Sequence, residues 1–179
     1  MNRTAAVLLW AAFVMGCSAK SARFIAYSNA PARFTAEIPS GWTPMENPAG
    51  GAPGVQFLLP PREGKLSARP YISVDFHPTG DPRCASIDAC LAERTRQLPG
   101  RRYGPVTDVR VGPWAGKQFS LIKPLPQSPE FAPQGELSVR TLLLPAADGI
   151  TEVCFAVPQP EASEQAAVFE RFLKTFRRR

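Results

Sequence analysis

The chain has almost none of the side chains on which acid–base enzymes most often rely: one histidine, His77, in 179 residues. A centre built on several imidazoles is therefore excluded. Its four cysteines, Cys17, Cys84, Cys90 and Cys154, contain no Cys-x-x-Cys pair and no zinc-ligand spacing, so the usual redox and zinc readings do not apply. No glycine-rich loop leads into Lys-Ser/Thr. Gly50-Gly51 sits in a Pro/Ala stretch instead, which argues against a phosphate cradle. No internal repeat is visible, and the 20 prolines are scattered between apolar runs, where they mark turns and form no polyproline tract. Long apolar runs are missing too. The uncharged stretch Ala5 to Met15 has 11 residues; as a helix it would rise about 16 Å, roughly half a bilayer's hydrocarbon core.

That stretch is too short to span a membrane and the right length for the apolar part of a secretory signal. It follows Arg3 and ends at Val14-Met15-Gly16-Cys17, which resembles the bacterial lipobox. The similarity implies cleavage after Gly16 and a lipid-modified Cys17 as the first mature residue. Ser18, in place of an aspartate, directs the expectation to the periplasmic face of the outer membrane. Residues 17–32 then form a tether, partly ordered near Phe24 to Tyr27, and residues 33–179 form one globular domain, a length suited to a single core. Cleavage removes only Arg3 among the charged residues, so the chain keeps nearly all of its formal charge of +6. In an envelope such a balance suits anionic head groups or acidic polymers. Nucleic acid is not an expected partner, because no aromatics are interleaved with the basic residues.

With Cys17 lipidated, three thiols remain in an oxidising compartment. The expected pair is Cys84–Cys90, pinning the turn Asp81-Pro82-Arg83 to a helix that begins after Ser86; Cys154 then stays a thiol in a strand. The rival is Cys90–Cys154. Alternation predicts strands at Phe34–Ile38, Val55–Leu59, Tyr71–Phe76, Val106–Val111, Trp114–Ile122, Leu137–Leu144 and Ile150–Val157. Ser86 caps a helix carrying Ile87, Leu91 and Leu98 on one stripe. A second helix opens at Pro160-Glu161 and presents Phe169, Phe172, Leu173 and Phe176, with Lys174 and Arg177 to Arg179 at its C-terminal end. The expected order is βββ-α-ββββ-α, an α+β class.

Three segments add a family likeness. Phe34-Thr35-Ala36-Glu37-Ile38-Pro39-Ser40-Gly41-Trp42 resembles the opening strand and P-x-G-W turn of PsbP-like domains, known from a photosystem II extrinsic subunit and many bacterial lipoproteins. Val111-Gly112-Pro113-Trp114-Ala115-Gly116 is similar to their G-x-x-A turn, and Phe169 to Arg177 to their final helix, which ends in Ser/Thr-Phe. The resemblance implies a three-layer α/β/α sandwich around an antiparallel sheet and no enzyme activity.

For chemistry, Ser73, Asp75 and His77 share one strand face. Asp75 and His77 are the candidate metal ligands, with Asp81 as a conceivable third; the competing reading is a solvated strand face. No catalytic residue and no cofactor is expected. The loop Pro124 to Gly135 offers Leu125 and Phe131 as exposed contacts for a partner; the competing reading is a passive proline-rich connection. Together these readings give a non-catalytic, lipid-anchored accessory protein docking on another envelope protein. The alternative is a periplasmic lipoprotein that binds a small ligand or metal.

Overall fold

A computed structural model of the chain describes residues 23–47, 51–60, 68–125 and 135–179. The leader, Cys17 and Phe131 lie outside them. Five strands precede the first helix: β1 Phe24–Asn29, β2 Phe34–Pro39, β3 Thr43–Glu46, β4 Gly54–Leu58 and β5 Tyr71–Pro78. Helix α1, Ile87–Arg94, is followed by β6 Arg102–Tyr103, β7 Thr107–Val111, β8 Trp114–Pro124, β9 Glu136–Ala146 and β10 Gly149–Pro158. A short 3-10 turn leads into helix α2, Ala162–Thr175, and β11 Arg177–Arg178 closes the described chain.

Every pairing is antiparallel. A three-stranded sheet runs β1-β2-β11, and an eight-stranded sheet runs β3-β4-β5-β10-β9-β8-β6, with β7 also paired to β8. The larger sheet carries apolar clusters on both faces. On its first face Ile72, Val74, Phe76, Leu142, Leu144, Val153, Phe155 and Val157 meet Phe34, Ala36 and Ile38 of the small sheet and Phe169, Phe172 and Leu173 of α2. Aromatic contacts run through this core, with Phe172 touching Phe34, Phe57, Phe169 and Phe176. On the second face Leu143 and Ile150 pack under α1 through Cys84, Cys90, Ile87 and Leu91. Leu121, Leu125, Leu137, Val139 and Ala156 form a third cluster. This is an α+β fold dominated by antiparallel sheet.

The structure corrects several expectations. Residues 24–29 are a strand and no tether: all six pair with β2, from Phe24↔Pro39 to Asn29↔Phe34. Tyr27 holds β1 to the core edge-on against Phe57, centroids 4.8 Å apart, and Asn29 accepts the Ala32 N–H at 2.7 Å to close the turn. β3, β6 and β11 were too short to display a period. The first helix ends at Arg94, where Thr95 turns its hydroxyl back to the Leu91 carbonyl at 2.7 Å; Leu98 is therefore outside the helical stripe. Ser86 caps as expected, its hydroxyl accepting from Ala89 N–H at 3.1 Å. Trp42 folds onto the core, and the disulfide joins Cys84 to Cys90, leaving Cys154 free.

Leu125 is a further correction. It is 8% exposed and packs with Leu121 and Leu137. Pairing of β8 with β9 reaches Pro124↔Glu136, and Leu125 N–H adds a bond to the Gly135 carbonyl at 3.0 Å. The base of the loop is thus closed, and its leucine turns inward.

Candidate functional site

The most concentrated polar chemistry lies on the second face, beneath α1. The strand period puts Tyr71, Ser73, Asp75 and His77 of β5 on this face, while Ile72, Val74 and Phe76 enter the core. Antiparallel register sets Asp75 opposite Glu152 and His77 opposite Ile150 on β10. The face is not solvated at its His77 end. His77 is 3% exposed, covered by the Asp81 turn and α1.

His77 is enclosed by two carboxylates. Its Nδ1 lies 3.0 Å from Asp81 Oδ2 and its Nε2 lies 3.1 Å from Glu152 Oε2. Each carboxylate is bound in turn by an arginine. Arg83 reaches both oxygens of Asp81 at 3.2 Å, and its backbone N–H adds a bond at 2.9 Å. Arg94 donates to Glu152 from Nε at 3.0 Å and from Nη2 at 2.8 Å. With His77 protonated, the row Arg83–Asp81–His77–Glu152–Arg94 alternates in sign along its length. It links β5, the following turn, β10 and α1.

These contacts set the protonation of the row. The hydrogen bond with Glu152 raises His77 above the ordinary imidazole value; burial opposes this, and the bond to Asp81 reinforces it. Burial pushes Glu152 upward, but bonds from His77 and Arg94 outweigh it and hold the carboxyl below its usual range. Asp81 is held well below the carboxylate range, first by the Arg83 guanidinium and then by His77. Both imidazole nitrogens are committed, so His77 has no free lone pair to act as a base. The arrangement acts as a brace.

Asp75 stands apart from it. Its Oδ1 accepts from Asn47 Nδ2 at 2.6 Å, and burial raises its pKa. The structure brings His77 and Asp81 together but bonds Asp75 to Asn47. Among the described residues no group of three or more His, Cys, Asp or Glu is arranged to hold a metal ion. Farther along this face, burial pushes the Cys154 thiol up to about 12, and it also raises the Tyr71 phenol, which hydrogen-bonds Cys154. An open depression of about 550 Å³ lies against α1, lined by Pro82, Arg83, Ala89, Ala92, Glu93 and Arg94. Sequence reading missed Glu152, Arg94 and Arg83 as members of the row. The available signal was Glu152 itself, the one charged residue in the strand Ile150–Val157.

No family model and no curated protein matches the sequence. Solved structures do share its architecture. LpqN of Mycobacterium tuberculosis, described as involved in cell envelope biogenesis, superposes with a TM-score of 0.57 at 12% identity, over 80% of this chain and 81% of LpqN. Mog1p, a Ran-binding protein of Saccharomyces cerevisiae, gives 0.54 at 15% identity, over 88% of this chain and 96% of Mog1p. Cyanobacterial PsbP (CyanoP) of Synechocystis gives 0.52 at 9% identity, over 90% and 96%. The chain also spans about half, 48%, of a larger Bacteroides thetaiotaomicron protein. At such identities the likeness concerns architecture alone, and the chain has a PsbP-like fold.

Proposed function

We propose that this is a non-catalytic, lipid-anchored accessory protein of a bacterial cell envelope that docks on another envelope protein. The observation that carries the reading is Val14-Met15-Gly16-Cys17 at the end of a short uncharged apolar run behind Arg3. Such a terminus leaves a folded body fixed to a membrane by acyl chains, each buried methylene contributing about 0.8 kcal/mol. Among the described residues no helix is long and apolar enough to cross a membrane. The fold supports an accessory role, since Mog1p is a Ran-binding protein and LpqN is described with envelope biogenesis. The commitment of both His77 nitrogens supports a structural use of the polar row.

The test is intact-mass analysis of the membrane fraction together with crosslinking in whole cells. A mass for an acylated chain starting at Cys17, and one recurrent envelope protein among the crosslinks, is the expected result. An unmodified polypeptide retaining residues 1–16 in soluble extract refutes the anchor. Acylated protein with no recurrent protein neighbour refutes docking. Membrane fractionation of the same cells tests the outer-membrane address, which follows from Ser18.

A further inference from the structure

We propose that the open face of the three-stranded sheet lies against the anionic surface of the membrane that holds the lipid, so that the domain has a fixed orientation. This rests on the reading of Cys17 as the anchor. Phe24, the first residue of β1, is seven residues beyond Cys17. A fully extended chain of that length reaches at most about 25 Å, whereas a folded body of this size is about 40 Å across. The Phe24 end must therefore stay close to the bilayer, and helix α1, on the other face of the large sheet from β1 and β2, is held away from it.

The face next to that attachment is built to suit an anionic surface. Register partners in an antiparallel pair share a face, so Phe24↔Pro39, Ala26↔Glu37 and Ser28↔Thr35 on β1 and β2 continue into Thr35↔Arg177 on β11. Phe34, Ala36 and Ile38 point the other way, into the core. Ala26, Ser28 and Arg177 are exposed on the open face. Arg171 of α2 reaches over it, its guanidinium 4.5 Å above the Phe24 ring and bonded to Glu37 at 2.9 Å. Glu37 is the one acidic residue in this set, against Arg171 and Arg177, with exposed Arg23 and Arg179 at the margins. Basic residues held this near an anionic leaflet are attracted within a Debye length, about 8 Å at physiological salt.

The experiment uses the full lipidated chain in vesicles of pure phosphatidylcholine and in vesicles containing phosphatidylglycerol, with hydrogen exchange as the readout. Amides of residues 24–29 should exchange several-fold more slowly on the anionic vesicles, and those of α1 should be unchanged. The difference should vanish at high salt. Arg23→Glu with Arg177→Glu should abolish the anionic-lipid effect while vesicle association through acyl chains persists. Equal exchange on both vesicle types, or slowing at α1 in place of β1, overturns the orientation alone. Failure of the chain to associate with either vesicle overturns the anchor and the orientation with it.

Discussion

Replacing Glu152 by glutamine tests the charged row where its geometry is tightest. The carboxylate side chain is 10% exposed and accepts from His77 Nε2 at 3.1 Å and from Arg94 at 3.0 and 2.8 Å. Glutamine keeps the shape and removes the charge, leaving two cations facing a neutral amide. Breaking a buried pair typically costs about 3–5 kcal/mol. Arg94 keeps 37% of its side chain in solvent, which lowers the expected loss to about 2–3 kcal/mol. For a domain of this size that is a fall in Tm of about 5–10 °C. The pH dependence separates this from a packing defect. His77 is raised by the bond with Glu152, so its contribution is complete below the ordinary imidazole pKa of about 6.5; it is lost as pH rises through the folded value. Glu152 is held low, so its share is present above an ordinary carboxylate pKa of about 4.3 and is lost as pH falls through the folded value. Stability of the native chain should thus be greatest from about pH 5 to 6.5 and decline toward alkaline pH. Glu152→Gln should flatten that decline as well as lower the midpoint, and His77→Gln should flatten it too. Urea unfolding followed by circular dichroism across pH 5 to 9 measures both. A loss under about 0.5 kcal/mol, the range of ordinary surface changes, or an unaltered alkaline slope refutes the reasoning.

Further outcomes follow from the same face and its margins. Replacing Cys84 and Cys90 by serine should cost about 2–3 kcal/mol, the chain-entropy value for so short a loop; peptide mapping without reduction should recover Cys84–Cys90, and a Cys90–Cys154 peptide would contradict the fold. Gly149 has φ +145, and a Cβ there would lie 2.1 Å from the His77 carbonyl oxygen. Gly149→Ala should therefore destabilise by about 1–3 kcal/mol, read as a lower urea midpoint. Cys154, with its thiol pushed up to about 12, should resist iodoacetamide at pH 8 in the native protein and label rapidly once urea unfolds it; equal rates in both states would contradict its burial.

What the sequence could convey depended on the range of the interactions involved. The Ser86 cap, the aromatic stripe of α2 and the alternation of the long strands are local patterns, legible because a helix or strand repeats its environment every few residues. The Cys84–Cys90 pair was legible for the same reason, being only six residues apart. Strands β3, β6 and β11 have two to four residues, too few for a period, and they exist because a neighbouring strand supplies their hydrogen bonds. β1 looked like a tether until Tyr27 found Phe57, thirty residues on. The charged row depended wholly on tertiary structure. Along β5, His77 has Tyr71, Ser73 and Asp75 for polar company on its face, and that suggested a wet surface. Folding set Glu152 beside it from 75 residues away and closed α1 above, with Arg94 as counter-ion to that glutamate. Whether a polar strand face meets water or an ion pair is decided by what is packed over it, and no local repeat records that choice.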